Sequence, residues 1–179
     1  MSVSAFVVKV PAAEPLVGEL RTRFDASCRL GAPAHITVLF PFMPAADITP
    51  AVIHRAQVAL GEVPSFSFSL GAIGRFMGQR QFPSTLFLSP DPPDPFVALT
   101  TALVRYFPMF RPYEDTHEDI VPHLTVAHGD ASDVHAAAIE LKQRLRTSPL
   151  IQTACNSVSL LENASGRWEE MHVFILSRA

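Results

Sequence analysis

A four-residue word occurs twice in the chain, as His35-Ile36-Thr37-Val38 and His123-Leu124-Thr125-Val126. Each copy follows closely on a proline, Pro33 or Pro122, and lies in an apolar run. In extended backbone, residues i and i+2 point to one face. His35 and Thr37 therefore share a face, and so do His123 and Thr125. The aliphatic residues between them point the other way. A fold containing both strands must bury one face of each and leave the other polar. Brought face to face, the strands would gather two imidazoles and two hydroxyls around one small volume.

The order of elements repeats along with the word. Residues 5–10 read as a strand ended by Pro11, and 14–24 as a helix with Leu16, Leu20 and Phe24 on one side. The first motif strand covers about 34–42. Thr49-Pro50 opens a helix, with threonine as cap and proline at the first helical position. Residues 66–70 alternate as a strand, glycines 71, 74 and 78 predict a turn, and 85–88 return as a strand. A helix over 95–107, the second motif strand over 121–127, a helix capped by Ser132, and strands near 150–161 and 168–177 form a second round. Pro90, Pro92, Pro93 and Pro95 make a stiff connector between the rounds. The motifs lie 88 residues apart (123 less 35), about half of the 179-residue chain. This predicts an internal duplication, with pseudo-repeats about 12–89 and 95–178, inside one two-lobed domain spanning 1–179. A pseudo-twofold axis would set the motif strands opposite each other across a cleft.

Composition narrows the function classes. Hydrophobic residues make up 48% of the chain and charged residues 17%, which suits a packed core and excludes long disordered segments. A net charge of −3 gives no general attraction for polyanions, so RNA would be met at an end or as a nucleotide. Cys28 and Cys155 have neither metal-ligand spacing nor a disulfide framework, and read as thiols in a reducing cytosol. The first eleven residues lack the marks of a signal peptide, and no stretch approaches the ~20 apolar residues of a membrane span. The expectation is a cytoplasmic monomer with no membrane association and no obligate protein partner.

Opening a phosphodiester or a 2′,3′-cyclic phosphate needs a base for the attacking oxygen and an acid for the leaving one. Histidine, with an unperturbed pKa of about 6.5, can serve in either role near neutrality. Threonine hydroxyls can donate to the non-bridging oxygens, where charge gathers in the transition state. The stretches Ala34-His35-Ile36-Thr37-Val38-Leu39-Phe40-Pro41-Phe42 and Val121-Pro122-His123-Leu124-Thr125-Val126-Ala127 resemble the two-histidine phosphoesterase superfamily. That group includes bacterial 2′-5′ RNA ligase-like proteins and RNA 2′,3′-cyclic phosphodiesterases. The resemblance runs along nearly the full length, and Phe40-Pro41-Phe42 looks closest to the 2′-5′ RNA ligase-like branch. It implies a bilobal α+β fold, with two antiparallel sheets lining a central cleft and helices packed outside. It implies phosphodiester chemistry without metal or cofactor, on RNA ends, oligonucleotides or small cyclic phosphates. In that pattern His35 would protonate the leaving oxygen, His123 would activate water, and Thr37 and Thr125 would bind phosphate oxygens. A nucleotide-binding regulatory module without turnover, and a same-fold enzyme for a non-RNA cyclic phosphate, are the competing readings.

Other residues carry weaker signals. Arg75 and Phe76, with Arg80, Gln81 and Phe82, flank the glycine-bearing segment. There an arginine would meet phosphate and a phenylalanine would stack on a base, or the segment is an exposed turn with its aromatics in the core. Tyr113 and His117 lie in a long loop over 108–120, where they line the cleft or face solvent. His128 follows His123 by five residues, an odd offset that turns it to the opposite face of a regular strand. His54 and His135 read as surface residues early in helices. His172 reads as a structural histidine and Trp168 as a packing residue in the last strand. Neither a Gly-x-Ser-x-Gly word nor a phosphate-binding glycine fingerprint is present.

Overall fold

One-sided burial sorts this chain into strands that share a single sheet. A computed structural model describes residues 2–78, 83–112, 120–148 and 150–178. The strands are β1 (Ser4–Lys9), β2 (His35–Phe42), β3 (Phe66–Phe76), β4 (Ser84–Asp91), β5 (Leu124–Gly129), β6 (Ile151–Cys155), β7 (Ser157–Glu162) and β8 (Glu169–Ile175). Among the described residues they form one antiparallel sheet in the order β6-β3-β4-β5-β2-β1-β7-β8. The helices are α1 (Glu14–Phe24), α2 (Ala26–Arg29), α3 (Pro50–Leu60), α4 (Asp94–Tyr106) and α5 (Ala131–Thr147). Helices α1 and α5 pack on each other and on β5, while α4 packs on α3 and β2. The core lies between these helices and one face of the sheet. Val8, Ile36, Leu88 and Leu124 are buried there beside Leu20, Leu99, Leu103 and Leu141. Each such side chain contributes ~1.5–3 kcal/mol by leaving water. That sum determines which face of the motif strands turns away from the helices.

The mixed helix-and-strand class is as expected, but the expected pair of sheets is one sheet. Strands β2 and β5 pair directly, with Ile36 opposite Leu124. The motif strands are therefore neighbours, side by side, and do not face each other across a cleft. Unpaired strand edges carry unsatisfied backbone groups, and pairing β2 with β5 removes two of them. Thr49 caps α3 and accepts from Val52 N at 3.3 Å. Helix α5 starts at Ala131, with Asp130 at the cap position, so Ser132 lies inside it. Gly71 and Gly74 lie within β3 and not in a turn. Both cysteines are free, and burial pushes the Cys155 thiol up to about 12. No helix among the described residues is long and apolar enough to cross a membrane.

Candidate active site

Both motif strands break their alternation at the same step. In β2, Phe6 pairs with Leu39 but Val7 pairs with Thr37, which leaves Val38 as an extra residue. In β5, Leu86 pairs with Ala127 but Phe87 pairs with Thr125, which leaves Val126 extra. Each is a β-bulge, where two residues on one strand oppose one on the other. Two consecutive residues then point to the core: Val38 and Leu39 in β2, Val126 and Ala127 in β5, all buried. Thr100 of α4 donates to the Val38 carbonyl at 2.7 Å and so satisfies the extra residue. Before the bulge, His35, Thr37, His123 and Thr125 lie on the face away from the helices and are half-buried. With Ile36 opposite Leu124, antiparallel geometry brings His35 abreast of Thr125 and Thr37 abreast of His123.

The two rings are anchored alike. His35 Nδ1 lies 2.7 Å from the Pro33 carbonyl, and His123 Nδ1 lies 2.7 Å from the Val121 carbonyl. A carbonyl only accepts, so each Nδ1 carries the proton and Nε2 is the nitrogen that exchanges protons. The backbone around His35 is itself pinned, because Ala34 N donates to Glu14 Oε1 at 2.6 Å. Burial holds the His35 ring below the ordinary histidine value. The Pro33 carbonyl opposes this, Arg21 adds to it, Asp25 opposes it, and the second imidazole, His123, adds to it again.

Around His123 the face is aromatic. The rings of Phe76 and Phe87 each lie 5.1 Å from the imidazole, and 4.5 Å from one another. Gly74 makes room for this arrangement, since a Cβ there would fall far inside contact with the Phe87 ring carbons. Gly74→Ala is expected to lose ~1–3 kcal/mol of stability by overpacking. Denaturant unfolding checks this, and the added Phe87→Ala change is expected to restore the midpoint. Around His35 the face carries a small apolar patch of Ala5, Val7 and Leu161. Phe40 and Trp168 cover the patch with ring centroids 6.3 Å apart.

The structure brings Phe76 to the motif face and turns Arg75 away. Arg75 pairs with Leu86, whose side chain is in the core, so the arginine leaves on the helix side. Tyr113 and His117, with Arg80, Gln81 and Phe82, lie outside the described residues. His128 requires a correction. The bulge at Val126 restores it to the His123 face, where its Nδ1 meets Thr85 Oγ1 at 2.9 Å. The odd-offset rule holds only for an unbroken ladder. His172 points to the other face, paired with Leu160 and packed 4.6 Å from Phe174. His54 and His135 are exposed on α3 and α5. Phe40, Phe87 and the Thr85–His128 pair were missed from sequence. Two signals were available: the apolar doublets Val38-Leu39 and Val126-Ala127, which break alternation, and the 88-residue offset that carries Phe40 onto His128.

Two histidines on adjacent strands, each with a threonine on the same face, make up the candidate site. A model of the 2′-5′ RNA ligase superfamily matches residues 8–167, and the chain belongs to that superfamily. Solved structures share its fold. LigT of E. coli bound to 3′-AMP is 17% identical, with 99% of each chain covered and a TM-score of 0.57. LigT in apo form is 16% identical, covering 99% of this chain and 98% of LigT, with a TM-score of 0.60. The protein TT0787 of Thermus thermophilus is 15% identical, with 98% of each chain covered and a TM-score of 0.62. No curated protein matches the sequence.

Proposed function

We propose that this protein opens 2′,3′-cyclic phosphates on RNA ends or nucleotides by acid–base catalysis between its two motif histidines. The carrying observation is the matched anchoring of two imidazoles on paired strands that share one face with two threonines. His123 Nε2 takes a proton from water as the water attacks phosphorus. His35 Nε2 gives its proton to the departing ribose oxygen, leaving a phosphate monoester, a 2′-phosphate if the 3′ oxygen departs. Thr37 and Thr125 donate to the non-bridging oxygens, where negative charge grows. The 3′-AMP bound by LigT supports a nucleotide-sized ligand for this fold. Phe76 and Phe87 give His123 an apolar surround on the side from which water attacks.

The direct test assays 2′,3′-cyclic mononucleotides against short RNAs ending in a cyclic phosphate, with a chelator present. Product from either supports the reading. Nucleotide binding without product from any cyclic phosphate would favour a regulatory module instead. Loss of activity on chelation would contradict the metal-free mechanism.

The pH dependence follows from burial. With its pKa lowered, His35 in the empty protein is protonated only on the acid side of about 6.5. An anionic phosphate favours the protonated ring and moves its pKa back up. The parameter kcat/KM reports the free protein and kcat the complex. The alkaline limb of kcat/KM is therefore expected below about pH 6.5, and that of kcat at higher pH. Coincident alkaline limbs above about pH 7 would remove His35 from the acid role.

A further inference from the structure

Among the described strands, lysine or arginine occurs only at Lys9 in β1 and Arg75 in β3. Arg75 leaves on the helix side. Lys9 is the register partner of His35 and shares its face. Its ammonium is drawn outward, toward β8, where it forms an ion pair with Glu170. Glu170 also accepts the Ser159 hydroxyl of β7 at 2.8 Å. Ser159 is opposite Val7, and Glu170 is opposite Leu161, so both lie on the motif face. Lys9, with Ser159 as the second donor, holds the Glu170 carboxyl below the usual carboxylate range. The side chains of Lys9 and Glu170 are 36% and 35% exposed, so the pair is open to exchange with an anion from solution. Exposed pairs of this kind are weakly held.

We propose that Lys9 anchors a second phosphate of the substrate, one nucleotide removed from the reacting phosphorus, and that Glu170, itself held by the Ser159 hydroxyl, keeps its ammonium until that phosphate arrives. This rests on the cyclic-phosphate reading above. Across the motif face the strands run β5, β2, β1, β7, β8. The reacting phosphorus sits over β5 and β2, between the imidazoles. His35, the acid for the leaving ribose oxygen, is on the β1 side. The ribose therefore extends toward β1, and its 5′ substituent extends further, toward Lys9. Strands are spaced about 4.8 Å apart, so an ammonium beside β7 is too far out to touch the reacting phosphorus. It suits the next phosphate along a chain. A protein of net charge −3 gains no such attraction from its surface at large.

The test compares kcat/KM for a nucleoside 2′,3′-cyclic phosphate with that for the same compound carrying a 5′-phosphate. The wild-type protein is expected to favour the 5′-phosphorylated compound by ~10-fold, the size of one screened, charge-assisted contact. The preference is expected to collapse in Lys9→Met, survive in Lys9→Arg, grow in Glu170→Gln and shrink as salt is raised. Equal use of both compounds by the wild type overturns the assignment, as does an unchanged preference in Lys9→Met. If neither compound is opened, the cyclic-phosphate reading fails, and Lys9 is judged by binding. Nucleoside 2′-phosphate and 2′,5′-bisphosphate are then titrated at equilibrium. Tighter binding of the bisphosphate, lost in Lys9→Met, supports the anchor, and equal binding overturns it.

Discussion

Replacing either His35 or His123 by alanine is expected to lower turnover of a cyclic phosphate by ~10²-fold or more, the range for one positioned proton-transfer group. The two losses are not expected to multiply. The imidazoles act in a single displacement, so once one is gone the other has little left to stabilise. The double variant should therefore lie close to the worse single variant. Folding is expected to survive all three changes, because both rings are half-buried on the face away from the helical core. Stopped assays on one substrate, with circular dichroism as the folding control, measure the effect. Full turnover in either single variant would leave the two-histidine mechanism without support.

Asp25→Ala is expected to cost ~3–5 kcal/mol, a large part of the ~5–15 kcal/mol that holds a domain folded. Arg21 is the bulkiest fully buried side chain among the described residues, and Asp25 is buried beside it. Its Nε and Nη2 both donate to Asp25 Oδ2, at 3.2 and 3.0 Å. Its Nη1 has no hydrogen-bond partner among the described residues, and the Glu14 carboxylate is 4.0 Å away. Removing Asp25 thus leaves a buried guanidinium with no hydrogen-bonded counter-charge and only the Glu14 carboxylate at 4.0 Å. It also removes the acceptor for Ser27 N, which starts α2. The urea midpoint is the measurement. Recovery in Arg21→Met with Asp25→Leu, where neither charge is buried, would distinguish a stranded charge from a lost shape. An unchanged midpoint in Asp25→Ala would refute the account. The change also reaches the site, since Asp25 favours protonated His35 and Arg21 disfavours it. Any surviving activity should have its alkaline limb moved to lower pH.

Much of the site was legible because its signals are local. A strand's two-residue period requires His35 and Thr37 to share a face, whatever the rest of the chain does. The same holds for His123 and Thr125. Helix α1 follows the predicted span because its apolar residues recur on one side, and α3 begins at the Thr49-Pro50 cap. His128 was misread because one extra residue in β5 reverses the parity beyond it. That bulge is defined by the pairing with β4, not by β5 alone. Gly71 and Gly74 were read as turn formers, yet Gly74 serves to seat the Phe87 ring from the next strand.

What each motif strand presents follows from its own residues, since side-chain direction along extended backbone comes from covalent geometry and one-sided burial. Tertiary structure alone decided that the two strands lie side by side with their histidine faces together. It also decided that Lys9, Phe87 and His128 share that face while Arg75 and His172 do not. Strand partners and register are chosen by hydrogen bonds between residues far apart in the chain, and the local pattern of any one segment does not encode that choice.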